Sequence, residues 1–257
     1  MHPILFKLGP VTLYTYGAFL ALGAGCALWL LGRLSRSAGL NPERVQSLAL
    51  GVLVAGLIGA RLGFVFIEWP AFAAHPWRIF SLWDGGLVFY GGVIGGLVVG
   101  WWLARRWGIP LLPLLDCLAP ALALGQMFGR LGCFSAGCCY GLPWENGACA
   151  VTFTDPHSLA PRGVPLHPTQ LYSAGALALI LAFLLWMWPR RNQAGKIFFS
   201  YALLHGVARV IIEQFRGDWR GAPLFWGITP TAVFALGLAL LGAVGLWVIH
   251  HRRAKGD

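Results

Sequence analysis

The chain is broken into about seven apolar runs, each near the ~20 residues that carry an α-helix across a bilayer core. They fall at 11–31, 45–67, 87–103, 111–131, 168–188, 197–215 and 229–249. Only 11% of the residues are charged, 58% are hydrophobic, and the mean hydropathy is +0.68. A soluble domain carries about 25% charged residues. One core cannot hide this much apolar surface from water, so the expected class is an all-α integral membrane protein with about seven transmembrane helices. The first run continues into an intact span without a small-residue cleavage site, so no cleavable signal peptide is expected.

The net charge of +10 is distributed as topology information and not as a nucleic-acid stripe. Arg33, Arg36 and Arg44 separate the first two runs, and Arg105 and Arg106 follow the third. Arg190, Arg191 and Lys196 lie between the fifth and sixth, and Arg252, Arg253 and Lys255 follow the seventh. With seven spans all four clusters share one face, which the positive-inside rule makes cytoplasmic. The amino terminus, residues 69–86 and the polar stretch 133–166 then face the periplasm, and the carboxy terminus faces the cytoplasm. The expected organisation is one polytopic domain over 1–257, with a small periplasmic head at 132–167 between spans four and five.

Several ionisable residues break the apolar runs. Arg61 lies in GARLGFVF, Arg130 ends the fourth run, and Arg209 and Glu213 lie in HGVARVIIEQFR. An arginine at the bilayer centre costs at least a few kcal/mol, so such residues pair or face a polar cavity. Arg209 and Glu213 are four apart and can pair on one helix, with Arg216 three further on. A local ion pair locking helix packing is one reading. The arginines, however, outnumber the available acids, Glu213 and Asp116. That excess calls for an anion, and a phospholipid phosphate binds guanidinium bidentately. The paired glycines of WDGGLVFYGGVIGG permit close helix packing and place Tyr90 at the outer mouth of the third span. HPTQLY opens the fifth span with a proline and offers His167, Gln170 and Tyr172 to the outer interface.

Taken in order, GPVTLYTYG, GARLGFV, WDGGLVFYGG, the GRLG of the fourth span, HPTQLY and ARVIIEQFR resemble the prolipoprotein diacylglyceryl transferase family. The resemblance implies seven transmembrane helices with a periplasmic head, in the bacterial cytoplasmic (inner) membrane. It also implies the reaction: the diacylglyceryl group of phosphatidylglycerol passes to the lipobox cysteine thiol of a prolipoprotein signal peptide. Glycerol phosphate is released, and lipoprotein maturation begins. The implied partners are phosphatidylglycerol, prolipoprotein signal peptides and membrane lipids, with no nucleic acid and no cofactor. The family's essential arginines fall on Arg130 and Arg209, followed by Glu213 and Arg216. Its amino-terminal tyrosine falls on Tyr16, and its third-span histidine-or-tyrosine position on Tyr90. The departures cluster in GRLGCFSAGCCYG, where Cys133, Ala136 and Cys138 replace two asparagines and a glutamate, and Ser173 stands where glutamate is frequent.

The implied chemistry is alkyl transfer to a thiolate with a phosphate leaving group. Fixed arginines stabilise the leaving phosphate, and a base must deprotonate the acceptor. Arg130 and Arg209 are assigned to the phosphate, with Glu213 orienting Arg209 and Arg216, Tyr16, Arg61, His167 and Gln170 lining the lipid site. His205, four before Arg209, is the first candidate base, then Tyr90 and His167. An inert packing role for His205 stays open beside it. Cys133, Cys138, Cys139 and Cys149 lie on the face expected to be oxidising, where disulfides stiffening the head are the expectation. No metal is expected, because adjacent Cys138 and Cys139 make a poor clamp. Two other readings remain: a transferase of the same fold with another lipid donor or acceptor, and a protein that binds or transports anionic lipid.

Overall fold

A computed structural model gives the fold, and it describes residues 2–8, 11–81, 85–145, 147–218 and 229–254. Gly9, Pro10, part of the WDGG motif and Lys255 lie outside the described residues, as do the side chains of Arg252 and Arg253. The chain is mostly helical. A hairpin of β1 (Ile4–Leu8) and β2 (Val11–Tyr14) precedes α1 (Thr15–Ser37) and α2 (Pro42–Ile67). A short α3 (Trp69–Ala74), a 3-10 turn (Pro76–Phe80), α4 (Phe89–Arg106) and α5 (Leu111–Ala136) follow. A two-stranded sheet of β3 (Val151–Thr152) and β4 (Pro165–Leu166) leads to α6 (Thr169–Met187), α7 (Lys196–Glu213) and α8 (Pro230–Ala254).

Five helices, α1, α2, α5, α6 and α8, are long and apolar enough to cross a membrane by themselves. The two other expected spans coincide with α4, which is rich in glycine and ends on Arg105 and Arg106, and α7, which carries Lys196, Arg209 and Glu213. At 18 residues each of these is about 27 Å long, close to the ~30 Å of a hydrocarbon core. Large apolar side chains such as Phe66, Leu97, Leu179 and Leu240 stand exposed on the helices, at 84%, 68%, 74% and 65%. In water that surface would drive aggregation; in lipid it is a solvent contact.

Two boundaries differ from expectation. Residues 11–14 belong to β2, because Val-Thr-Leu-Tyr is β-prone and pairs with β1. At the other end α5 continues through Cys133 to Ala136, until Gly137 takes a φ of 77° and stops it. The helix therefore takes up the first five residues of the expected 132–167 segment.

The chain divides into two compact units, Met1–Leu30 with Leu115–Asp257, and Leu31–Leu114. In the second, Asn41 caps α2 by accepting from the Arg44 amide at 3.1 Å, with Pro42 in the first turn. The glycines let α2 and α4 touch backbone to backbone: a Cβ on Gly59 or Gly91 would collide with the other's carbonyl, and one on Gly95 would lie 2.6 Å from the Ala55 oxygen.

In the first unit α1 packs on α5, with Gly23 under Phe128 and Gly132 under the Tyr16 ring. Helix α7 packs between α6 and α8. Asp116, buried in α5, accepts from the amides of Gly195 at 2.7 Å and Phe198 at 2.8 Å, satisfying the N-terminus of α7. The intramembrane acid that sequence offered as an arginine partner is thus a helix cap. Asp116→Ala should lower the stability of the detergent-solubilised protein by about 2–4 kcal/mol, because two buried amides lose a charged acceptor. Thermal unfolding reads this, with Asp116→Asn recovering part of the loss.

Candidate active site

The charged residues of the first unit converge through helical spacing. Tyr201, His205, Arg209 and Glu213 recur every four residues and share one face of α7, and Gln126 and Arg130 do the same on α5. The Tyr201 hydroxyl donates to Gln126 Oε1 at 3.0 Å, and its ring stacks on His205 with centroids 5.3 Å apart. The charges of both Arg130 and Arg209 reach His205. Arg209 pairs with Glu213 at 2.6 Å, side chains 10% and 8% exposed. Glu213 Oε1 also accepts from Thr229 Oγ1 at 2.8 Å, and Thr229 caps α8 by accepting from the Ala232 amide. An acid held from both sides fixes its arginine's position. Arg130 is half-buried, one turn below the cysteines, and its charge reaches Tyr16 and Cys133. Tyr16, in the first turn of α1, also lies close enough to Cys133, Cys138 and Cys139 to feel their charge.

Arg216 lies just past α7, where an isolated bridge pairs it with Gly141. Its guanidinium forks onto Asp218, with Nε to Oδ1 at 2.8 Å and Nη2 to Oδ2 at 2.9 Å, and it also bonds Cys139. Hydrogen bonds from Cys133 and Cys138, with Arg216 adding its charge, hold the Cys139 thiol well below the usual thiol range. Cys138 is pushed up in turn by its bonds to Cys133 and Cys139.

The other expected residues have distinct settings. His167 stacks on Trp144 at 4.3 Å and 8°, meets Tyr172 Oη through Nδ1 at 3.2 Å, and lies against Phe215. Its backbone is paired with 141–142, so it belongs to an aromatic box in the head. Gln170 is fully buried, and its Nε2 donates to the Cys138 carbonyl at 2.8 Å. Cys149 is exposed and outside the group formed by the other three head cysteines.

In the second unit, Tyr90 is 63% exposed on the first turn of α4, edge-on to Phe89. Arg61 is buried and its five N–H groups meet five carbonyls: Nε to Ile79, Nη1 to Gly85 and Gly86, Nη2 to Arg78 and Ser81. Its ring neighbours are Phe64 and Phe72, 5.9 and 5.4 Å from the guanidinium carbon. A phosphate contact at Arg61 would have to displace one of these bonds. The network also contains residues that the motifs did not indicate. Gln126 and Tyr201 were within reach of the four-residue spacing, and Phe215 stands inside ARVIIEQFR; Trp144, Thr229 and Asp218 carry no sequence signal tying them to the site.

A mostly helical, multi-pass membrane protein with Arg130 half-buried on α5 and Arg209 buried on α7 is thus defined. Residues 3–248 match the family profile described as prolipoprotein diacylglyceryl transferase, and the chain belongs to that family. A phosphatidylglycerol–prolipoprotein diacylglyceryl transferase of Clostridium tetani is 37% identical over 221 residues, covering 86% of this chain and 88% of the relative. A second protein of that name from Clostridium perfringens is 31% identical, covering 100% of this chain and 98% of its own. One from Gloeobacter violaceus is 34% identical, covering 99% and 95%.

Proposed function

We propose that this chain transfers the diacylglyceryl group of phosphatidylglycerol to the lipobox cysteine thiol of prolipoprotein signal peptides and releases glycerol phosphate. The observation that carries this is the placement of Arg130 and Arg209 about His205 in a chain of the transferase family. The reaction develops charge on the leaving phosphate, and two guanidinium groups held in a low-dielectric site need no reorganisation to meet it. Glu213, fixed by Thr229, orients Arg209. His205, one turn before Arg209 on the same face of α7, is the first candidate to take the acceptor's proton, with Tyr90 and His167 the alternatives. Tyr16 and Arg216 border the site and complete the lipid contacts, while Gln170, fully buried, holds the Cys138–Cys139 loop.

The matching topology is seven spans in the bacterial cytoplasmic membrane, with the amino terminus and the 137–168 head periplasmic and the basic clusters cytoplasmic. A different donor or acceptor on the same fold is the second reading, favoured by the cysteines that replace polar residues of the family's fourth-span motif. The test is to incubate the purified protein with phosphatidylglycerol and a lipobox peptide and weigh the peptide. A gain of one diacylglyceryl group is expected. No gain, under conditions in which a relative modifies the same peptide, would sink this reading.

A further inference from the structure

Cys133 lies in the last turn of α5, and Cys138 and Cys139 follow the glycine that ends it. Cys139 has a φ of 60° and is the one non-glycine residue of positive φ among the described residues. That conformation costs a residue with a Cβ about 1–3 kcal/mol, and it persists only where the surroundings fix it. Here they do: Thr169 Oγ1 donates to the Cys139 carbonyl at 2.7 Å and Gln170 Nε2 to the Cys138 carbonyl at 2.8 Å. Both donors sit in the first turn of α6 and are 1% and 0% exposed. Neighbouring side chains on extended backbone point apart, which is why an adjacent cysteine pair reads as a poor clamp. The left-handed turn removes that objection, and all three sulfurs lie within 4.8 Å of one another.

The geometry points to Cys133, Cys138 and Cys139 as a three-thiolate site for one thiophilic d10 cation of the zinc class, with a fourth position open to an incoming thiol. Zinc–thiolate bonds of 2.3 Å arranged tetrahedrally set sulfurs about 3.8 Å apart, so the side chains close by roughly an ångström or less onto the ion. The donor set is all sulfur, which selects soft metals over calcium or magnesium. Three thiolates around a dication carry one negative charge, and the Arg216 guanidinium beside Cys139 offsets it. Gln170 Oε1, buried and without a hydrogen-bond partner among the described residues, belongs to the amide that holds this loop. Four protein ligands close a structural zinc site, whereas three leave a position for chemistry.

The role of that position rests on the function proposed above. The acceptor thiol binds as fourth ligand and its proton goes to water, since a metal-coordinated thiol is deprotonated; the metal then takes over the base's task from His205, which is left with packing. Its sulfur then attacks the glyceryl carbon. The new C–S bond forms as the C–O bond to phosphate breaks, and that electron pair leaves with the phosphate on Arg130 and Arg209. No oxidant or reductant enters.

The experiment uses the whole detergent-solubilised chain, reduced, stripped with a chelator and titrated with Co²⁺ as a spectroscopic stand-in for zinc. One equivalent should bind with thiolate-to-metal charge-transfer and tetrahedral d–d bands, be displaced by Zn²⁺, and change its d–d bands on adding a free thiol. Cys133→Ser, Cys138→Ser and Cys139→Ser should each weaken binding at least tenfold, and Cys149→Ser should not. Should a serine variant fail to fold, alkylation of the wild type decides instead: bound metal should protect these three thiols and not Cys149. Substoichiometric binding, a spectrum without thiolate bands, or protection of other cysteines overturns the site. Stripped protein should lose peptide modification and regain it with Zn²⁺; full modification by stripped protein overturns the role while leaving the transferase reading intact. Stoichiometric binding with no modification by either form removes the transferase reading and leaves the site.

Discussion

Arg209→Ala should reduce diacylglyceryl transfer by on the order of 10²–10³, and Arg130→Ala by as much, because each removes a fixed donor from the developing phosphate charge. The two variants should differ in stability. Arg130 is only half-buried on α5, so its loss should leave unfolding nearly unchanged. Loss of Arg209 leaves the Glu213 carboxylate buried against the Thr229 hydroxyl without its cation, and breaking a buried pair costs about 3–5 kcal/mol. The double variant Arg209→Met/Glu213→Leu should recover that stability and none of the activity, since the apolar pair packs but cannot bind phosphate. Arg209→Lys keeps the charge without the fork and should fall between. Peptide modification rates and thermal unfolding, measured on the same preparations, check all of these. Full activity in the double variant would make the pair a packing device.

Gly91→Leu should be the most damaging single change outside the charged site. A Cβ at this position already collides with the Gly59 carbonyl, and the helix opposite offers backbone rather than a flexible side chain to yield. Overpacking of a tight interface costs 1–3 kcal/mol and occasionally more; here on the order of 3 kcal/mol or above is expected, because Gly95 against Ala55 would separate with it. Thermal unfolding should drop sharply and the loop bound by Arg61 should become open to protease. Gly25→Ala, with nothing within 4 Å of its Cβ, is the matched control and should be neutral.

What the sequence disclosed depended on the range of the interactions. Helices were legible because bilayer length and hydropathy are local properties, and Arg209 with Glu213 was legible because a four-residue spacing is local too. The same spacing runs back through His205 to Tyr201, and on α5 from Arg130 to Gln126, so the facing pair was within reach of the sequence. Arg61 was recognisable as a buried charge, but its partners are carbonyls at 78–86, and backbone carbonyls leave no mark in a sequence. Asp116 was visible as an intramembrane acid, yet nothing local ties it to amides 79 and 82 residues away. The gathering of the cysteines depends on one left-handed residue, Cys139, held by two side chains of α6. Residue type argues against that conformation, so only the folded backbone discloses it.

The most direct measurement counts both products of one reaction, the thioether-linked diacylglyceryl peptide and free glycerol phosphate, with wild-type protein and with Arg130→Ala. Equal amounts of the two from the wild type, and neither from the variant, are the predicted result. Glycerol phosphate released without modified peptide, or modified peptide formed undiminished by Arg130→Ala, would contradict the account.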